Sequence, residues 1–258
     1  MRFPFDLAAI DVDGTLLGPT QDVSPENEAA IRRLVASGVR VLLASGRWHD
    51  DIVPFHRHLG LSGPIISSQG AMIKHGETGR VTWRNPVPDA TARELAQAAL
   101  DCGLTVIAYR AGGVATNVRN AWSQREESVI RRSITVARST DTLCRSVLKI
   151  ICCGPAERLR ALSIPADLTH LVGHPEWHEF YEPSSCKATA LARVARTLGI
   201  PPHRVATFGD GDNDATMLRW AGLGVAMHHG TPGARQAARM VAPPGPPETC
   251  LSRAVAVL

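Results

Sequence analysis

Two short acidic segments each follow an apolar run. Asp11-Val12-Asp13-Gly14-Thr15 comes after Leu7-Ala8-Ala9-Ile10, and Gly209-Asp210-Gly211-Asp212-Asn213-Asp214 comes after Arg204 to Phe208. Carboxylates this close repel one another unless a cation neutralises them or one takes up a proton. Hard oxygen donors suit Mg²⁺. Gly14 lets the chain turn so that backbone amides face a phosphate. Asp210 offers a further ligand to the same ion, and Asp214 a group that orders water or pairs with a lysine. Taken singly, each segment is also explained by a turn that ends a strand or caps a helix. That explanation does not cover both at one sheet edge.

Three further residues have chemistry that suits a phosphate. Ser45 and Gly46 follow the apolar run Val39 to Ala44, and a hydroxyl with free amides at a helix start makes a site for phosphate oxygens. Lys187 precedes an apolar helical stretch, where an ammonium can offset phosphate charge or the negative field of a nucleophile. His174 and His178 are four apart, as in zinc proteases, but the glutamate of that motif is replaced by Pro175. The segment from Trp177 to Tyr181 has strand character, so the histidines are expected on a strand, with His174, His178, Trp122, Arg119 and Asn117 as weaker candidates to meet a substrate.

The elements that must carry these groups alternate. Leu7 to Ile10 is expected as a strand buried on both faces. Ser24-Pro25-Glu26 opens a helix that Gly38 stops, with Ala30, Ile31, Leu34 and Val35 on one side. A strand over 39–44, a helix over 49–59 and a strand over 65–68 follow. A helix over 188–198, a strand over 204–208, a helix to Trp220 and a strand over 223–227 repeat the pattern. This order predicts an α/β fold, a doubly wound parallel sheet with right-handed crossovers. The ends of its strands are where such sheets bind ligands. Between the halves the pattern changes to helices near 89–101 and 156–163 and strands near 105–109, 147–152, 169–172 and 177–181. The segment 110–146 carries no clear period. Residues 84–183 are therefore expected as an α+β domain inserted into a core made of 1–83 and 184–258.

Bulk properties narrow the function. The formal net charge of +4 comes with arginines scattered along the chain, unlike the dense basic stripe of a nucleic-acid-binding surface. No apolar run reaches the length of a membrane span, and no signal segment is evident at the N-terminus. The six cysteines form no C-x-x-C pair, so buried free thiols in a reducing compartment are expected. The expectation is a cytoplasmic monomer with no nucleic-acid or membrane partner.

In this order, DVDGTLL at 11–17, Ser45 in LLASGR, Lys187 in CKATAL and GDGDNDATML at 209–218 resemble the four motifs of the haloacid dehalogenase-like (HAD) superfamily. The nearest group is its Cof-type phosphatases, subclass IIB, which carry a large α/β cap between the second and third motifs. The resemblance spans the whole chain. It implies a Rossmann-like core and hydrolysis of phosphate monoesters of small metabolites, such as sugar phosphates, with Mg²⁺ as cofactor. It further implies that Asp11 is the nucleophile and forms an aspartyl-phosphate, and that Asp13 protonates the leaving alcohol and then activates water. Mg²⁺ would be held by the Asp11 carboxylate, the Asp13 backbone carbonyl and Asp210. Ser45 and Lys187 would grip phosphoryl oxygens, Asn213 would contact the phosphate, and Asp214 would stand behind, near Lys187 and metal-bound water. Asp13 is expected to be crowded by carboxylates that keep it protonated. One departure is Gln69-Gly70-Ala71, where relatives often have Asn-Gly-Ala. A phosphomutase of the same fold and a non-catalytic binding protein are the competing expectations.

Overall fold

The computed structural model describes residues 3–258; Met1 and Arg2, where the expected core begins, lie outside the described residues. The first third runs β1 (Leu7–Ile10), α1 (Pro25–Ala36), β2 (Arg40–Leu43), α2 (His49–His58), β3 (Pro64–Ser67), β4 (Met72–His75) and β5 (Val81–Arg84). The middle runs α3 (Asp89–Asp101), β6 (Thr105–Arg110), β7 (Gly113–Thr116), α4 (Ala121–Ile130), β8 (Thr135–Val136), α5 (Thr140–Leu143), β9 (Val147–Cys153), α6 (Ala156–Arg160), β10 (Thr169–His174) and β11 (Trp177–Tyr181). The last third runs α7 (Lys187–Thr197), β12 (Val205–Gly209), α8 (Ala215–Trp220), β13 (Leu223–Ala226), α9 (Pro232–Ala237), β14 (Met240–Val241) and α10 (Cys250–Ala256). The chain divides into two compact units, Met1–Trp83 with Cys186–Leu258, and Arg84–Ser185.

The first unit is built on a parallel sheet of order β14-β13-β12-β1-β2. Its central strand β1 pairs with β12 on one side and β2 on the other, with Ile10 opposite both Phe208 and Leu43. Both faces are covered, which is why β1 shows no polar alternation. Ala8 and Ile10 point into a cluster with Ile31 and Leu34 of α1 and Leu251 and Val255 of α10. Leu7 and Ala9 point the other way, against Ala190, Leu191 and Val194 of α7 and Met217 of α8. Ser24 caps α1 by accepting a hydrogen bond from Asn27 N, and Pro25 occupies the first turn, where its missing N–H is no loss.

The third strand departs from the simplest doubly wound expectation. β3 meets the parallel sheet through an isolated bridge between Ala44 and Ile66, and pairs antiparallel with β4 in a separate sheet of order β3-β4-β5. β4 and β5 have no counterpart in the sequence reading, because their short, mixed composition carries no clear period.

The inserted unit holds a six-stranded sheet of order β10-β11-β9-β6-β7-β8. Val106, Ala108, Ile150, Cys152 and Phe180 on one face pack with Leu95, Ala96 and Ala99 of α3. On the opposite face, Lys149 lies 3.4 Å from Glu179 and over the Tyr109 ring, and Tyr181 donates its hydroxyl hydrogen bond to Glu179. The unassigned segment 110–146 contains α4, capped by the side chain of Asn120, which accepts from Trp122 N and Ser123 N.

Candidate active site

Adjacent parallel strands place the acidic segments side by side. Asp11 follows β1 and Asp210 follows β12, and the pairing of these strands brings both to one sheet edge. Carboxylate oxygens of Asp11, Asp210 and Asp214 lie within 4.8 Å of one another. Asp11 and Asp214 are buried. Lys187, the first residue of α7 and fully buried, donates to both, at 2.5 Å to Asp11 Oδ1 and 2.6 Å to Asp214 Oδ1. Asp214 Oδ2 also accepts from the amides of Asp210 and Gly211, each at 3.0 Å, which fixes the loop that presents Asp210. Asp210 Oδ1 accepts from the Thr15 hydroxyl at 3.1 Å.

Charge at this centre does not balance. Three carboxylates face one ammonium. Burial and then the charge of Asp214 push the Asp11 carboxyl well above its ordinary range, against the pull of Lys187. Asp210 is raised for the same two reasons, burial first. Burial would depress the Lys187 ammonium, but Asp11 and Asp214 outweigh it and hold the group firmly charged. A surplus of buried negative charge made of hard oxygens fits a divalent cation such as Mg²⁺.

Gly14 is required twice over at the turn after β1. Its φ is +77°, and a Cβ there would come 2.3 Å from Asp210 Oδ2. Its carbonyl oxygen is 2.8 Å from His229 Nε2, in the loop after β13. His229 went unnoticed in the sequence, since nothing in the run Met227-His228-His229 signals a partner more than 200 residues away.

The Asp13 carboxylate is half exposed, and the Arg47 guanidinium holds it, with Nε 2.9 Å from Oδ2. Arg47 also donates to Gln21 and stacks over Phe55.

Ser45 is buried just past β2, and its hydroxyl oxygen accepts from Arg47 N at 3.0 Å. Gly46 lies against Gln69, whose amide nitrogen would be 2.5 Å from any Cβ at position 46. Gln69 sits at φ +56° and accepts through Oε1 from Asn213 Nδ2 at 3.0 Å. The longer Gln thus engages Asn213 directly. Asp11, Asp210, Asp214 and Lys187 meet in one cluster, with Gly14 against Asp210. Asp13 with Arg47, and Asn213 with Gln69, form separate pairs.

The weaker candidates of the inserted unit have structural partners. Asn117 Oδ1 accepts from Val106 N at 2.7 Å, and Arg119 pairs with Glu127 at 2.8 Å. His178 Nδ1 lies 3.1 Å from His170 Nε2, and His174 neighbours Glu176. The two histidines of the false zinc motif thus have different partners.

The model of the haloacid dehalogenase-like hydrolase family matches residues 8–245. A phosphatase from Bacillus subtilis is 28% identical, over 86% of this chain and 88% of its own. A haloacid dehalogenase-like hydrolase from Bacteroides thetaiotaomicron superposes with a TM-score of 0.87 at 25% identity, covering 98% of this chain and 99% of its own. A HAD subclass IIB sugar phosphatase superposes with a TM-score of 0.83 at 21% identity, with 98% of each chain covered. With its strand-end carboxylates, its inserted domain and a family match over nearly its whole length, the chain belongs to the haloacid dehalogenase-like hydrolases.

Proposed function

We propose that this phosphoric monoester hydrolase cleaves the phosphate ester of a small metabolite, such as a sugar phosphate, through an aspartyl-phosphate on Asp11, with Mg²⁺ as cofactor. The observation that carries the reading is the cluster of Asp11, Asp210 and Asp214 around the buried ammonium of Lys187. Asp11 and Asp210 would hold the ion through their carboxylates and Asp13 through its backbone carbonyl. When bound, the ion supplies positive charge against the phosphate and the attacking carboxylate.

The chain's own groups do the rest. An oxygen of the Asp11 carboxylate forms a bond to phosphorus while the bond from phosphorus to the ester oxygen breaks. Asp13 gives its proton to the departing alcohol. Asp13 then takes a proton from water as the water oxygen bonds to phosphorus and the aspartyl bond breaks, which returns Asp11 and Asp13 to their starting states. Lys187, tied to Asp11 and Asp214, keeps the nucleophile in place and lowers the repulsion an anionic substrate meets. Ser45 and the amides around Gly14 and Gly46 would hold phosphoryl oxygens. Arg47 fixes the direction of the Asp13 side chain.

The test is phosphate release from a panel of phosphorylated metabolites, with and without Mg²⁺, for wild type and Asp11→Asn. The expected result is Mg²⁺-dependent release that drops by roughly 10⁴-fold or more in the variant. Release that ignores both the ion and the substitution would refute the reading.

A further inference from the structure

We infer that the core unit carries a second small-molecule site, for a flat organic anion of one or two rings, in the cleft between the β3-β4-β5 sheet and the C-terminal half of α7. The cleft encloses about 250 Å³ and is bordered by Ile73, Trp83 and Leu198 together with Arg80, Arg193 and Arg196. A cavity of about 150 Å³ suffices for benzene, and drug-sized ligands occupy about 300 Å³ or more, so the space suits a small ring system.

The electrostatics name the charge of the occupant. Arg193 stacks on Trp83, its guanidinium carbon 3.5 Å from the ring centroid. Its Nε is buried and has no hydrogen-bond partner among the described residues. Neither Arg80 nor Arg196 forms an ion pair among the described residues, and no acid is among the residues that line the cleft. Three guanidinium groups thus border one cleft with no ion-pair partner for any of them among the described residues. Guanidinium N–H groups match carboxylate, sulfonate and phosphate oxygens, and stacking on an aromatic face pre-orients the fork. The ring of the ligand would rest on Ile73 and Leu198 while its anionic group meets the guanidinium of Arg193 that borders the cleft. None of these residues belongs to the Asp11 cluster, so the site stands whatever the reaction at Asp11.

The test is calorimetric titration of the full chain with 2-naphthoate and with 2-naphthamide, which share a ring body and differ in charge. The expected result is one saturable site that prefers the anion by about tenfold or more, since a charge-assisted hydrogen bond is at stake. Arg193→Met abolishes the preference, and Arg196→Gln, at an exposed position that leaves the fold and phosphate release intact, reduces it. Equal binding of the two probes overturns the inference. So does an anion preference that survives both substitutions, or naphthoate displaced by inorganic phosphate from the Asp11 centre.

Discussion

Lys187 is the residue whose position is most constrained by charge. It has no exposed surface, and both its partners are buried carboxylates. A buried ion pair can be worth little net, but removing one member strands the other in a medium that solvates charge poorly. Lys187→Met is therefore expected to cost about 3–5 kcal/mol in urea unfolding without Mg²⁺. A loss below about 1 kcal/mol would mean that Asp11 and Asp214 relax to water and that the ammonium does not organise the cluster. At this scale the sequence was legible where chemistry sits at a strand end, because Asp11 and Asp210 follow apolar runs that announce β1 and β12. It was silent on Arg47 with Asp13, Gln69 with Asn213 and His229 with Gly14. Those pairs join loops that are 34, 144 and 215 residues apart, and no local period encodes them.

Among the elements, the turn after β3 holds the start of α7 in place. Gly70 has φ +94°, and a Cβ there would lie 2.3 Å from the Cys186 carbonyl oxygen, immediately before Lys187. Gly70→Ala cannot be relieved by a rotamer change because the obstacle is backbone. The substitution should shift the head of α7, lowering stability by about 1–3 kcal/mol and lowering turnover with it. Unchanged melting and turnover would show that the turn moves freely. Helix α2 adds a pH signature. Burial, and then the charge of Lys74, pushes His49 down to about 4, and burial also lowers His56. An unfolded chain protonates these rings near 6.5, whereas the folded chain refuses the proton, so their neutral burial is lost as a source of stability as pH falls below about 6.5, for His49 down to about 4. His49 contributes a slope of up to about 1.4 kcal/mol per pH unit in that window. The raised acids Asp11 and Asp210 pull the other way, so the informative quantity is the difference between wild type and His49→Gln. Wild type should lose stability relative to the variant between pH 6.5 and 4.5, and parallel curves would contradict the assignment. Helix α1 was readable from its Ser24 cap and apolar face, and α7 from its apolar stretch and the stop at Gly199. β4 and β5 were not, and neither was α4, whose Asn120 cap lies in a segment dominated by arginine and serine.

For the molecule as a whole, the parallel sheet with helices on both faces brings distant segments of chain to one edge, and if the proposed ion binds the surplus of negative charge there, folding is coupled to its binding. A ligand that binds only the folded state stabilises it by about 2.7 kcal/mol at one hundred times its dissociation constant. Mg²⁺ should therefore raise the melting temperature of the wild type, and Asp210→Asn should remove most of the increase. A rise of equal size in the variant would move the ion away from this cluster. The α/β class was legible from the alternation of apolar runs and capped helices. The splitting of β3 into a second sheet was not, because an apolar strand does not declare which neighbour it pairs with.

The central claim is that Asp11 carries the phosphoryl group during turnover. Its most direct measurement is acid quenching of the enzyme during steady turnover with a hydrolysed substrate, followed by peptide mass spectrometry. A phosphoryl adduct on Asp11, absent without Mg²⁺ and absent in Asp11→Asn, is the expected result. An adduct on another residue, or full turnover in Asp11→Asn with no adduct, would contradict the account.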